Sequence, residues 1–264
     1  MIAKRDGHSL RDPMAFPLDA GRLADLPNTD PASLRIAVTP DLGGLMVSRA
    51  IRDVFDQRID RIRRLVGAMD GTDVDLTDAP GVDWHVRQEL FVSQYHRNAA
   101  DWDEGFNPNV RATYESALRT PMADIAAARR RQMELYQAFA ELFEHFDAVI
   151  CPGVSISPFP WRELNPETID GAPVENYMAW LQLTASLTVV GHPVVALPCG
   201  VDDRGMPFGI QVVGRMYGDR EVLGIARALE AAFATDPLLA RPRADLTGLA
   251  STTSECRTLG KSVH

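Results

Sequence analysis

His192, Cys199 and Asp202 lie close together in the chain and bring an imidazole, a thiol and a carboxylate, the three groups of a Cys-His-Asp hydrolase. The competing reading is two core or loop residues beside a turn carboxylate. His192 precedes Pro193, Cys199 closes an apolar run, and neither a nucleophile elbow nor an oxyanion loop follows. Cys151 ends another apolar run and reads as a small buried strand residue. His85, Glu89 and His96 fall on one helical face, where they could seed a metal site, and a solvated helix face with chance spacing explains them more simply. Lysine chemistry has almost nothing to draw on: Lys4 and Lys261 are the only lysines, and arginine supplies 25 of the 27 basic residues. The only Gly-Gly, Gly43-Gly44, has no serine beside it, and Ser48 reads as a helix N-cap.

The elements that must position these groups centre on VGHPVVALPCGVDDRGMPFGIQVVG, from Val190 to Gly214. Two β-branched runs, Val194 to Leu197 and Ile210 to Val213, flank a polar segment with Asp202, Asp203, Arg204 and Gly205, which predicts a buried β-hairpin. Gly191, Pro193, Pro198, Gly200, Pro207, Gly209 and Gly214 punctuate it, and glycine within a strand marks a bulge or another backbone passing close by.

Before the hairpin, alternation at Leu34, Ile36 and Val38 predicts a strand, and Ile51, Phe55, Ile59, Ile62 and Val66 predict an amphipathic helix. Arg49–Asp53, Arg52–Asp56 and Asp60–Arg64 are expected to pair across its outer face. Asp70 to Val82 reads as a loop, Trp84 to Trp102 as a helix, and Asn107-Pro108 as the start of another. Thr120 is expected to cap the next helix, with Pro121 at its first position and Leu135, Phe139, Leu142 and Phe146 on one stripe. DAVIC, from Asp147 to Cys151, predicts a strand that leads into a proline-rich loop, a candidate pocket rim. A helix from about Val174 to Val189 and one capped by Asp219 flank the hairpin. The sum is an α/β protein with a mixed sheet covered by helices, one domain over 1–250, and a disordered tail over 251–264.

The G-x-P-x-x-x-x-P-x-G and G-x-P-x-G-x-Q-x-x-G arrangement of the hairpin resembles the C-terminal signature of the amidase signature family. Gly218, Asp219, Leu223, Leu229 and Glu230 match that family's following helix, the Asp147 to Pro152 segment matches its D-x-x-x-x-P strand, and residues 2–13 match in part the loop after its catalytic half. Thr188 to Gly191 depart from its usual N-x-T-G. The resemblance implies a partial amidase signature fold and cleavage of a carboxamide C–N bond through a Ser-Ser-Lys triad. No residue of this sequence matches that triad. The chain is therefore expected to supply sheet, pocket wall and rim, with Thr184, Leu187, Cys199 and Gln211 as substrate-pocket candidates, and to contain no catalytic residue of its own. It is expected to be inactive alone, to act on a small-molecule amide when complemented by a missing N-terminal half, and to expose a sheet edge through which it could form homo-oligomers. A non-catalytic binding protein and an independent enzyme using His192 or Cys199 are the alternatives.

Composition narrows the partners. A formal net charge of −9 leaves no overall basic footprint for a phosphate backbone, so nucleic acid is not expected. Three irregularly spaced cysteines fit neither a disulfide framework nor a zinc ribbon and point to a reducing cytoplasm. No apolar run suits a membrane span, and neither a metal nor a cofactor is expected.

Overall fold

The computed structural model describes residues 20–103, 106–163, 165–174, 177–244 and 246. The partial family match at 2–13 and the tail at 251–264 lie outside them. After a short helix α1 (Ala20–Ala24), strand β1 (Arg35–Val38) and helix α2 (Arg49–Ile62) form the expected strand-then-helix pair. Ser48 caps α2 by accepting from the Ile51 amide at 3.3 Å. Ile51, Phe55, Ile59 and Ile62 are all buried, as the spacing predicts. The outer face differs: the ion pair of Arg52 is with Asp41, at 2.7 Å, in the preceding turn.

The segment read as a loop from Asp70 holds two elements. Strand β2 (Ala68–Gly71) pairs in parallel with β1, and helix α3 (Ala79–Tyr95) starts several residues before Trp84 because Pro80 suits its first turn. Helices α4 (Pro108–Arg119) and α5 (Met122–Glu141) follow. Asn107 caps α4 as expected, but Thr120 ends α4 rather than capping α5; its hydroxyl donates to Gln88 Oε1 at 3.0 Å.

Strand β3 (Ala148–Pro152) is wholly buried. It lies parallel to β1 on one side and antiparallel to the later strand β7 (Pro207–Val213) on the other, and so makes the sheet mixed. Its entry is held by a reciprocal clasp: Arg35 N–H donates to Asp147 Oδ2 at 2.8 Å, and Asp147 N–H donates to the Arg35 carbonyl at 2.8 Å. The proline-rich connection contains a two-stranded ribbon, β4 (Thr168–Ile169) and β5 (Ala172–Pro173). Helix α6 (Gln182–Val190) starts later than the sequence suggests, after a single 3₁₀ turn, and ends on Gly191 at φ 72°, a left-handed cap that sends the chain into the hairpin.

The hairpin is the predicted one, extended: β6 (Val194–Val201) and β7 (Pro207–Val213). Asp202 Oδ1 accepts from the Arg204 and Met206 amides and so builds the turn from its own carboxylate. Helix α7 (Asp219–Phe233) buries Val222, Leu229 and Phe233; Gly218 is its cap, and Asp219 is the first helical residue. The five-stranded order is β2-β1-β3-β7-β6, which leaves β2 and β6 as its edges among the described residues. Helix α2 packs on β3, α7 packs on β6 and β7, and α3, α5 and α6 form a second helical group. A single apolar core joins these layers. Among the described residues no helix is long and apolar enough to cross a membrane.

Candidate functional site

A groove of about 560 Å³ runs beside the start of β6. One wall is α6, with Thr184, Leu187 and Thr188; the other is the start of α7, with Val222 and Leu223. Val194 and Val195 both line it, and successive strand residues point to opposite faces, so the groove follows the strand's edge rather than one face of the sheet.

Three of the four pocket candidates meet here: Thr184, Leu187 and Gln211 line the groove. The Thr184 hydroxyl donates back to the Leu181 carbonyl at 2.8 Å, and Leu187 is buried. Gln211 is fixed by donating from Nε2 to the Pro152 carbonyl at 3.0 Å, and it locks the end of β3 against β7. Cys199 lies elsewhere, at a β-bulge, where its carbonyl accepts from Arg58 Nε at 3.3 Å. Burial pushes the Cys199 thiol up to about 12, with the Arg58 charge opposing and Asp236 adding to the rise.

His192, which its sequence position suggests only as a candidate base, lines the groove at its inner end. The ring stacks on Phe143 with centroids 5.0 Å apart and meets Phe139 edge-on. Nδ1 faces the Gly214 carbonyl at 3.0 Å. Burial lowers the pKa of His192, with the Gly214 carbonyl opposing, which favours the neutral ring. The four steps of extended strand from Val194 to Pro198, at roughly 3.3 Å each, alone span about 13 Å and hold His192 and Cys199 beyond the reach of a nucleophile–base pair. Cys151 is fully buried on β3, and burial pushes its thiol up to about 12 as well, with the Gln211 amide opposing.

The helical face considered for a metal is otherwise engaged. Glu89 pairs with Arg129 at 2.6 Å, His85 Nδ1 faces the Gly81 carbonyl at 2.8 Å, and His96 Nδ1 faces the Tyr114 hydroxyl at 2.8 Å. Among the described residues no cluster of three or more His, Cys, Asp or Glu side chains is arranged to hold a metal ion.

The groove residues that sequence reasoning missed, Met216, Tyr217, Val222 and Leu223, belong to α7 and its approach. The Gly218-Asp219 signal located that helix but not what its first turn faces.

A family model described as Amidase matches residues 28–223. The chain belongs to the amidase family. Curated relatives include a glutamyl-tRNA(Gln) amidotransferase subunit from Clostridium acetobutylicum, 26% identical over 57% of this chain and 31% of its own length. Another is the corresponding glutamyl-tRNA(Gln) amidotransferase subunit from Jannaschia sp., 36% identical over 49% of this chain and 26% of its own. Among solved structures, a bacterial aryl acylamidase of the amidase signature family superposes with a TM-score of 0.72 at 18% identity, covering 88% of this chain and 49% of that one. The 6-aminohexanoate cyclic dimer hydrolase gives 0.68 at 19% identity, with 86% and 50% covered. These superpositions establish the amidase signature fold. This amidase chain spans about half the length of the solved relatives and under a third of the two curated ones.

Proposed function

We propose that this chain forms the sheet and pocket-wall part of an amidase that hydrolyses carboxamide C–N bonds, and that the nucleophile comes from elements beyond the described residues. The observation that carries the reading is the pairing of an amidase fold with a groove whose walls are in place and whose reactive side chains are not. Amide hydrolysis needs a nucleophile, a group to take its proton, and donors for the oxyanion. Burial raises the Cys151 and Cys199 thiols and keeps them protonated at neutral pH, so neither is poised as a nucleophile. No lysine lies among the described residues. Thr184, Leu187 and Gln211 would then shape the wall against which a small amide is held, and the uncovered edge beside them would be closed by the other half of the fold or by a second copy. A reducing cytoplasm is the compartment we propose, in keeping with two buried free thiols.

The test is ammonia release from a panel of aryl and aliphatic carboxamides. The chain alone should release none, Cys199→Ala should change nothing, and addition of a complementary amidase half should produce turnover. Turnover by the chain alone would sink the proposal. Amide binding without turnover, even after complementation, would favour a non-catalytic binding protein.

A further inference from the structure

A second cavity, of about 300 Å³, opens on the other side of α6 from the groove. Gln182 lines this cavity and Thr184 lines the groove, and two residues are roughly 200° apart around a helix. Its walls are the turn at Leu45 and Met46, the first turns of α3 with Asp83 and Trp84, and Gln182 at the start of α6. The turn is tied to the approach of α3 by the Leu76 N–H, which donates to the Leu42 carbonyl at 2.9 Å, and α3 packs against α6. The walls are therefore fixed by elements far apart in sequence.

Gln182 is only 9% exposed, and its Oε1 meets no hydrogen-bond partner among the described residues. A buried amide oxygen without a donor is costly and rare. The terminal torsion of glutamine is broad, so a turn about it presents that oxygen to the cavity. Asp83 faces the same space with a carboxylate 13% exposed. A single Arg87 nitrogen, Nη2, serves both its oxygens at 3.3 and 3.2 Å, longer than the roughly 2.7–2.9 Å of a charge-assisted bond, so both can accept again. Thr77, also in the lining, donates its hydroxyl proton to Asp75 and has lone pairs left to offer. No arginine, lysine or histidine lines the cavity, and the indole of Trp84 adds a π surface. Acceptors beside an aromatic wall select a guest that donates hydrogen bonds and carries positive charge. A bare metal ion finds too few ligands, because no three His, Cys, Asp or Glu side chains cluster among the described residues. The apolar remainder of the lining, Leu45 and Met46 in particular, suits hydrocarbon.

We propose that this cavity binds a small organic ammonium ion with an apolar body. The ammonium group donates to Asp83 and to Gln182 Oε1 beside the Trp84 ring, and the hydrocarbon lies against Leu45 and Met46. The guest supplies the donor that the buried amide oxygen lacks. Every wall is among the described residues, so occupancy does not depend on amide hydrolysis or on any further part of the fold.

The experiment is a titration of the isotope-labelled full chain with n-butylammonium chloride, read by two-dimensional NMR. The Trp84 indole and Gln182 side-chain amide signals should move together and saturate. 1-Butanol, which keeps the hydrocarbon without the charge, and butyrate, which reverses the charge, should each bind about tenfold or more weakly. Asp83→Asn should weaken butylammonium about tenfold or more. Gln182→Leu replaces an orphaned buried polar group with an apolar one of similar size, so the melting temperature should hold or rise while affinity falls about fivefold. Ser186→Ala, one turn further along α6 and outside the lining, should leave affinity within about twofold. If Asp83→Asn lowers the melting temperature because Arg87 has lost its partner, Gln182→Leu decides alone. Unchanged affinity in a folded Gln182→Leu overturns the proposal. So does equal binding of 1-butanol, an equal response to potassium chloride at the same ionic strength, or saturation that leaves the Trp84 and Gln182 signals in place.

Discussion

The two edges of the sheet are finished differently. β2 has four residues, exposes Asp70 and Gly71, and has its outward Met69 carbonyl taken by Arg63 at 2.7 Å. β6 has eight residues, and among the described residues only its far end is closed, by Arg58. One edge is thus short, charged and capped, and the other is long and apolar with its first half open. The sheet has been terminated on the β2 side and left able to grow on the β6 side.

Glycine substitutions should separate the two edges most. Gly200 has φ 81°, and a Cβ would meet the Leu238 carbonyl, so Gly200→Ala should cost on the order of 3 kcal/mol in urea unfolding. Gly71→Ala, with nothing within 4 Å of the new Cβ, should stay within about 0.5 kcal/mol. Equal losses would mean that Leu238 does not hold the edge as described.

The arginine caps come next. Arg58 is 3% exposed and serves two carbonyls, so Arg58→Met should cost about 2–3 kcal/mol by leaving both unpaired. Arg63 is exposed and serves one, and Arg63→Met should cost about 0.5 kcal/mol in the same assay.

A smaller effect is expected from pH at the open end. The pKa of His192 is lowered from 6.5 by burial, so the unfolded chain binds the proton more readily than the fold does. The contribution is fully present above pH 6.5 and is lost as pH falls below it towards the lower folded value. Melting temperature should decline across that window, and His192→Leu should flatten the decline whatever its own cost. A slope of opposite sign would mean that the ring is charged in the fold.

The smallest change in stability belongs to the edge itself. Ala196→Lys should alter the unfolding free energy by less than about 0.5 kcal/mol yet reduce binding of a hydrophobic dye and light scattering at high concentration. Undiminished scattering would move the sticky surface elsewhere.

The hairpin was legible because its period, its prolines and its turn carboxylate agree at every level, and the same agreement located α2, β3 and α7. What escaped the sequence had conflicting local signals. Asp70 to Val82 is polar enough to read as a loop, yet Met69 is buried beside β1 and Pro80 opens a helix. Thr120 carries an N-cap residue type but is held by Gln88 and the end of α4, a tertiary contact outranking a local preference. At the groove, Thr184, Leu187 and Gln211 come together because the hairpin and α6 run together in sequence as in space. Cys199 is two positions beyond Leu197, with its carbonyl turned towards Arg58 at a bulge that no spacing pattern encodes.

The Arg35–Asp147 clasp has a consequence in time. Its partners are 112 positions apart, so β1 has only β2 for a neighbour until β3 has been made. At roughly 5–20 residues per second of synthesis, that interval lasts on the order of ten seconds. During it the apolar face of β1 waits with half a sheet, while the helices between can already form locally. The hairpin, whose strands are neighbours in sequence, can pair as soon as it emerges and add to β3 last. A ribosome stalled between β2 and β3 would therefore hold the most aggregation-prone form of this chain.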